Sequence, residues 1–372
     1  MFPVDFGNEA VLRYTTPGDT VIDPFAGRGT AVFSAAVNGR RGLGIEVNPV
    51  GWVYAATKLA PVQARLVEQR IYELGRIASS YRAEADRLPA FFNLCFSATV
   101  RAFLVAARDG LNWRSSRIDR TVMALLLVYL HGKRSASLSN QMRQTKSMSP
   151  DYAVRWWEDR ALQPPDIDPV EFMLSRLAWR YAAGLPAATP SRMYLGDSTA
   201  WLPRLARLVE VGAIPRVRLL LTSPPYYRLT NYHYDQWLRL WLLGGPPNAL
   251  RTGGAHRGKF EHRERYQRLL IDVFSAAARM LSDDAVVYVR TGRQPITYDS
   301  TISALHQAFP TRQWIEELRP YQKPTQTALF GDREPKVGEV DLISVVSAAD
   351  HPKLMDPCSC APPSDLELDS SD

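Results

Sequence analysis

Three observations predict an α/β fold. A glycine turn follows a short apolar strand and opens a helix near the N-terminus, apolar strands return after a long helical block, and two strand-like segments close the sequence. Strands alternating with helices imply a mostly parallel sheet with helices on both faces. The closing pair implies an antiparallel C-terminal strand, and the helical block implies an insertion.

Residues 18–49 read as a β-α-β unit: an apolar strand ending at Asp23, the glycine turn, a helix through Ala36 and a second strand from Gly42 to Val47. From about Pro61 to Tyr181 the pattern is helical, with long segments over 63–88 and 120–132 and a polar interruption over 133–152. Proline-rich connections at Leu162 to Pro169 and Leu185 to Pro190 end this block. Strand character returns at 192–198, 217–225 and 285–293, with a helix from Arg263 to Leu281 before the last of them. Segments 312–321 and 339–347 read as an antiparallel pair. Residues 1–60 and 190–349 are thus expected to be two parts of one domain. Residues 61–189 are expected to be an insertion suited to target recognition, and 350–372 a disordered acidic tail.

A chain of 372 residues with 46% hydrophobic and 22% charged residues can bury a sizeable core. No basic segment followed by an apolar run opens it, and no stretch approaches the roughly 18 apolar residues of a membrane span, so a cytoplasmic location without a membrane partner is expected. Cys95 stands apart from Cys358 and Cys360, which indicates reduced thiols and neither a disulfide framework nor a metal site. The formal net charge of +7, carried mostly by arginine, favours acidic partners, because guanidinium groups hold phosphates with paired hydrogen bonds.

In the stretch Asp23-Pro24-Phe25-Ala26-Gly27-Arg28-Gly29-Thr30 the two glycines let backbone amides approach a ligand where a Cβ would collide. Glu46, at the tip of the next strand, lies near the offset of about 20 residues at which a carboxylate accepts hydrogen bonds from ribose hydroxyls. Val32 stands where the dinucleotide fingerprint has glycine or alanine, which argues against nicotinamide or flavin. Further on, an apolar strand leads into Thr222-Ser223-Pro224-Pro225-Tyr226, so that loop should emerge at the C-terminal end of the sheet. Two prolines stiffen it and leave carbonyl acceptors. The Ser223 hydroxyl and the Pro224 carbonyl can accept from an exocyclic amine, and Tyr226 offers a stacking face.

These motifs resemble those of the amino-methylating DNA methyltransferases, with their D-P-F-x-G-x-G-T and S-P-P-Y loops. The resemblance covers roughly 1–60 and 190–350 and implies a Rossmann-like sheet with S-adenosylmethionine as cofactor. It implies that Asp23, Gly27, Gly29 and Thr30 surround the methionine end with Phe2 and Pro3 flanking it, that Glu46 lies at the ribose, and that Phe25, Ala26, Val47, Asn48 and Thr222 also belong to the cofactor site. Gly196-Asp197-Ser198 resembles the family's G-D-S element, which would set Asp197 and Ser198 at the adenine; an Asp-Ser helix cap explains the same residues. Ser223, Pro224, Pro225 and Tyr226 would form the catalytic loop. Serine at 223 points to N4 of cytosine, since adenine enzymes mostly carry D-P-P-Y or N-P-P-Y. The glycine loop precedes the proline loop here, whereas in the commonest class with this D-P-F-x-G loop the order is reversed.

The implied partner is double-stranded DNA, read after base flipping; the resemblance leaves open a homodimer and a companion restriction endonuclease acting on the same site. Lys133, Arg134, Arg143 and Lys146 lie in a polar stretch that is either a phosphate- and base-contacting loop or a solvated linker. Tyr227, Arg228 and Tyr232 follow the reactive loop, and Lys323 lies further on; all are candidates for nucleic-acid contact. Trp237 and Trp241, four apart, are expected in the core. Pro357-Cys358 matches the nucleophile of carbon-5 cytosine enzymes only by its letters, since it falls in the acidic tail. Three other readings remain open: an adenine-N6 DNA enzyme, a tRNA guanosine-N2 methyltransferase sharing this motif order, and a non-catalytic DNA-binding protein of the same fold.

Overall fold

The structure is a computed structural model describing residues 3–134, 136–144, 147–227, 232–249, 262–319 and 338–345; of Tyr232, His233 and Val345 only the backbone is described. Helix α1 (Val4–Tyr14) leads into β1 (Thr20–Asp23), α2 (Thr30–Val37), β2 (Arg41–Glu46) and α3 (Pro49–Leu59). A run of helices follows: α4 (Ala64–Ile77), α5 (Arg82–Ala85), α6 (Ala90–Cys95), α7 (Ala98–Gly110), α8 (Arg117–Tyr129), α9 (Pro150–Glu158) and α10 (Pro169–Tyr181). The chain then forms β3 (Arg192–Leu195), α11 (Ser198–Glu210), β4 (Val217–Thr222), α12 (Tyr232–Asp235), α13 (Trp237–Leu242) and α14 (Arg263–Ala278). It closes with β5 (Leu281–Gly292), α15 (Pro295–Ala308), β6 (Gln313–Arg319) and β7 (Glu339–Val345).

Seven strands make one sheet in the order β3-β2-β1-β4-β5-β7-β6. All are parallel except β7, which runs antiparallel between β5 and β6. The expected α/β class with an antiparallel C-terminal strand is what the chain adopts. Every residue of β1 is buried, as befits a strand covered on both faces. Strand order reverses direction between β1 and β4, and ligands of open α/β sheets bind in the crevice at such a switch point.

β7 is held by one carboxylate. Asp341, fully buried, accepts from Arg290 Nε (2.6 Å) and Nη2 (2.8 Å), from Arg319 Nε (2.7 Å) and from the Tyr288 hydroxyl (2.8 Å). These donors keep its carboxyl below the usual range despite burial. The acid thus ties β5 and β6 to β7.

The helices between β2 and β3 share a core with Trp237 and Trp241 of α13, both buried as expected. Two expectations change here. The helical segment over 63–88 breaks into α4, a 3-10 turn at Ala78–Tyr81 and α5. The polar stretch 133–152 is neither a solvated linker nor a mainly exposed loop, because Ser137, Leu138, Ser139, Asn140, Met142 and Ser147 are buried in it. Asn140 Nδ2 donates to the carbonyls of Leu94 (3.1 Å) and Leu162 (3.0 Å), and the Ser147 amide donates to that of Asp235 (2.8 Å). Its polar side chains are buried because backbone carbonyls satisfy them.

Candidate active site

The glycine loop begins at the buried end of β1. Asp23 Oδ1 accepts from the Phe25 amide (3.0 Å) and from Thr222 Oγ1 (2.6 Å), so the loop is bonded directly to the end of β4. The Ala26 amide donates to Ile45 O (3.0 Å) and that of Gly29 to Ala26 O (2.6 Å). Gly29 has φ +72°, and a Cβ there would stand 2.7 Å from Ala55 Cβ, so glycine is required where α2 starts against α3. Thr30 is the first residue of α2 and is buried. A residue the sequence did not single out, Gly51, matters equally: a Cβ on it would lie 2.7 Å from Gly27 O.

Glu46 bridges this loop to the start of α3. Its Oε2 accepts from the Gly27 amide (2.6 Å) and its Oε1 from the Asn48 amide (2.7 Å), while Asn48 Oδ1 caps α3 by accepting from Val50 N (3.0 Å). Val47, between them, is partly buried. Pro3 precedes α1, and Gly7 of that helix lies against Thr30 and Ser34 of α2, which brings the start of α1 to the glycine loop.

Asp197 caps α11, accepting at Oδ1 from the amide (3.0 Å) and hydroxyl (2.8 Å) of Thr199. The helix-cap explanation of this acid is therefore realised, just after β3, which pairs with β2. Ser198 Oγ donates to Pro24 O, fastening the β3 end to the glycine loop.

The proline loop leaves the adjoining strand end. Pro224 is buried, and Ser223 and Pro225 are partly buried. The Pro225 carbonyl accepts from the hydroxyl of Tyr266 (2.9 Å), a fully buried residue of α14 whose ring centroid lies 5.7 Å from that of Tyr227. Tyr226 donates its hydroxyl to Glu339 Oε1 at the start of β7 (2.5 Å), and its ring lies beside Gly292 at the end of β5. Burial and the Glu339 carboxylate push the Tyr226 phenol well above its ordinary range. The Tyr227 amide donates to Thr297 Oγ1 (3.2 Å). Tyr266 and Glu339 carried no sequence signal, since one is an ordinary aromatic on a helix and the other opens a strand.

Burial raises both carboxyl groups. Asp23 is pushed up to about 7 by burial, against the hydrogen bonds from Thr222 and Phe25. Glu46 is pushed up to about 7 by burial and further by the charge of Asp23, against its amide donors. Carboxylates so destabilised suit a cationic ligand, which would favour their charged forms. The glycine turn beside them has room, as no described atom lies within 4 Å of a Cβ built on Gly27. A sulfonium-bearing cofactor with an ammonium group fits that donor set.

Of the other candidates, Lys133, Arg134 and Arg143 are exposed on the polar stretch. Phe2, Lys146, Arg228, Lys323 and the 350–372 tail lie outside the described residues, and of Tyr232 only its backbone in α12 is described. Among the described residues no group of three or more His, Cys, Asp or Glu could hold a metal ion, and no helix is long and apolar enough to cross a membrane.

Residues 1–51 match the family model N6_N4_Mtase, described as DNA methylase. No curated protein matches the chain. Among solved structures it is similar to an rRNA methyltransferase, aviRa, from Streptomyces viridochromogenes, at 13% identity over 93% of this chain and 85% of that one, with a TM-score of 0.33. It is also similar to a SAM-dependent methyltransferase from Agrobacterium tumefaciens, at 10% identity over 92% of this chain and 59% of that one, with a TM-score of 0.37. Superpositions this loose carry no weight for topology or activity. The matched segment holds β1, the glycine loop, β2 and Glu46, and the sheet order sets that loop beside the proline loop. The likeness to the DNA methylase family is confined to residues 1–51, which carry the glycine loop and Glu46.

Proposed function

We propose that the chain methylates the exocyclic N4 amine of cytosine in double-stranded DNA, after the base has been flipped out of the helix. The observation that carries this reading is the joining of two loops: Ser223-Pro224-Pro225-Tyr226 follows directly on Thr222, whose hydroxyl is bonded to Asp23 of the glycine loop. Asp23, Gly27, Gly29 and Thr30 would hold the methionine end of the cofactor, Glu46 its ribose and Asp197 its adenine. When bound, S-adenosylmethionine supplies an electrophilic methyl group on a sulfonium.

The chain's own residues then orient a weak nucleophile. A cytosine amine is conjugated with its ring, so rigid acceptors and alignment contribute more than a strong base. Ser223 Oγ and the Pro224 carbonyl accept the two amine hydrogens and turn the nitrogen lone pair toward the methyl carbon. As the N–CH3 bond forms, the bond from the methyl carbon to sulfur would break and leave a neutral thioether, and one amine proton passes along the Ser223 hydrogen bond to water. Tyr226 stacks on the base, and the Tyr266 hydroxyl fixes the loop through Pro225.

The test is incubation with methyl-labelled S-adenosylmethionine and either duplex DNA or tRNA, followed by identification of the labelled nucleoside. N4-methylcytosine in DNA is the expected product. N6-methyladenine alone would overturn the choice of base, and methylguanosine in RNA the choice of nucleic acid.

A further inference from the structure

Beside the glycine loop, on the side of the helical block, three cations bear on the ring of Tyr54 and a fourth lies over Phe33. The exposed Arg28 lies with its guanidinium 5.0 Å over the ring of Tyr54, on α3. Lys58, one turn further along α3, lies 5.2 Å over Phe33 of α2. Arg239, buried on α13, faces the Tyr54 phenol and spends its own donors on neutral acceptors: Leu127 O (2.8 Å), Gln144 O (2.8 Å) and Gln236 Oε1 (2.8 Å). Arg180, exposed at the end of α10, donates to the Tyr129 hydroxyl (3.2 Å), and its charge partly offsets the rise that burial gives the Tyr54 phenol. Next to it Trp179 is 69% exposed, with the Arg180 guanidinium 5.6 Å over its ring.

Among the described residues, none of these four cations makes an ion pair. Like charges collected without carboxylates destabilise the protein that holds them and create a strong positive potential at the surface. Burial and Arg28 lower Lys58 to about 8, and both burial and Arg28 also lower Arg239. An anion would relieve that repulsion. The exposed tryptophan beside an arginine adds a face on which an unstacked base or a sugar can rest.

We infer that Arg28, Lys58, Arg180 and Trp179 form the surface that grips the phosphodiester backbone of the DNA substrate beside its flipped base, with buried Arg239 reinforcing the field. This rests on the DNA-methylating reading above. It adds a second basic surface to Lys133, Arg134 and Arg143, which are exposed on the polar stretch. The contact is electrostatic and independent of sequence, so it sets position and affinity and leaves base choice to other residues.

The test is the double variant Lys58→Gln, Arg180→Gln, measured for duplex binding across a salt series and for S-adenosylmethionine binding by calorimetry. Two lost phosphate contacts should flatten the slope of log K against log salt by about 1.8. Binding should weaken equally for target and unrelated duplexes, cofactor affinity should hold, and Lys58→Arg, Arg180→Lys should restore the wild-type slope. An unchanged slope in a double variant that melts like the wild type overturns the inference, even if the wild type methylates DNA. Weaker cofactor binding with unchanged duplex binding also overturns it, and assigns the cations to the cofactor carboxylate. A wild type that methylates no DNA and binds no duplex removes the reading beneath it.

Discussion

Thr222 and Asp23, 199 positions apart, are joined by a 2.6 Å hydrogen bond between the ends of two neighbouring parallel strands. One strand leads into the glycine loop and the other into the proline loop, so this bond sets the spacing of the two loops. Thr222→Val keeps the shape and removes the donor. A buried acceptor left short of a partner costs about 1–3 kcal/mol. The variant should melt lower and bind S-adenosylmethionine about tenfold more weakly, since 1.4 kcal/mol is a factor of ten; melting curves and calorimetry check both.

The pH dependence follows from the two raised carboxyl groups. Their folded values of about 7 lie above the ordinary carboxylate range. Their contribution to stability is therefore complete at low pH, below about 4, and is lost as pH rises through 7. The ligand-free protein should lose stability between pH 5 and about 8 through these groups. A cationic cofactor favours the ionised forms, so its stabilising effect should grow over the same window and its binding should release protons near neutrality. Thermal melts with and without S-adenosylmethionine, and calorimetry in buffers of different ionisation enthalpy, measure these effects.

Tyr226 separates stacking from anchoring. Tyr226→Ala removes the face offered to the base and should abolish most turnover while leaving cofactor affinity intact. Tyr226→Phe keeps the ring and loses the hydroxyl's interactions with Glu339 and Ser223, and should retain most of kcat. Cofactor affinity that collapses in the alanine variant, with turnover at saturation preserved, would reverse this division of roles.

Tyr266 reaches the proline loop through the Pro225 carbonyl. Tyr266→Phe leaves the Pro225 carbonyl without its 2.9 Å donor and should lower kcat severalfold, with a stability loss of about 1 kcal/mol and no change in cofactor affinity. Steady-state kinetics on duplex DNA with saturating cofactor provides the readout.

What could be read in advance was local. The turn from Asp23 to Thr30 and the strand into Ser223 each carry their signal within ten residues, because glycine and proline constrain the backbone wherever they stand. The partners that fix these loops come from far away in the chain. Glu339 reaches Tyr226 across 113 positions, and neither letter announces the pairing. Asn140 misled for a different reason: its amide is satisfied by the carbonyls of Leu94 and Leu162, so a side chain of solvent-loving composition sits in the interior. The +7 charge signalled an acidic partner, but Arg28 and Arg239 come to the same Tyr54 ring only when α13 packs against α3.

The interior place of β7 dictates an order of assembly. β6 pairs with nothing in the sheet except β7, so residues 313–319 have no seat until 339–345 have left the ribosome. The same late segment brings Glu339 to Tyr226 and Asp341 to its two arginines. During synthesis the glycine loop is finished long before its counterpart is clamped. A nascent chain can thus hold the glycine loop while Tyr226 still lacks its anchor.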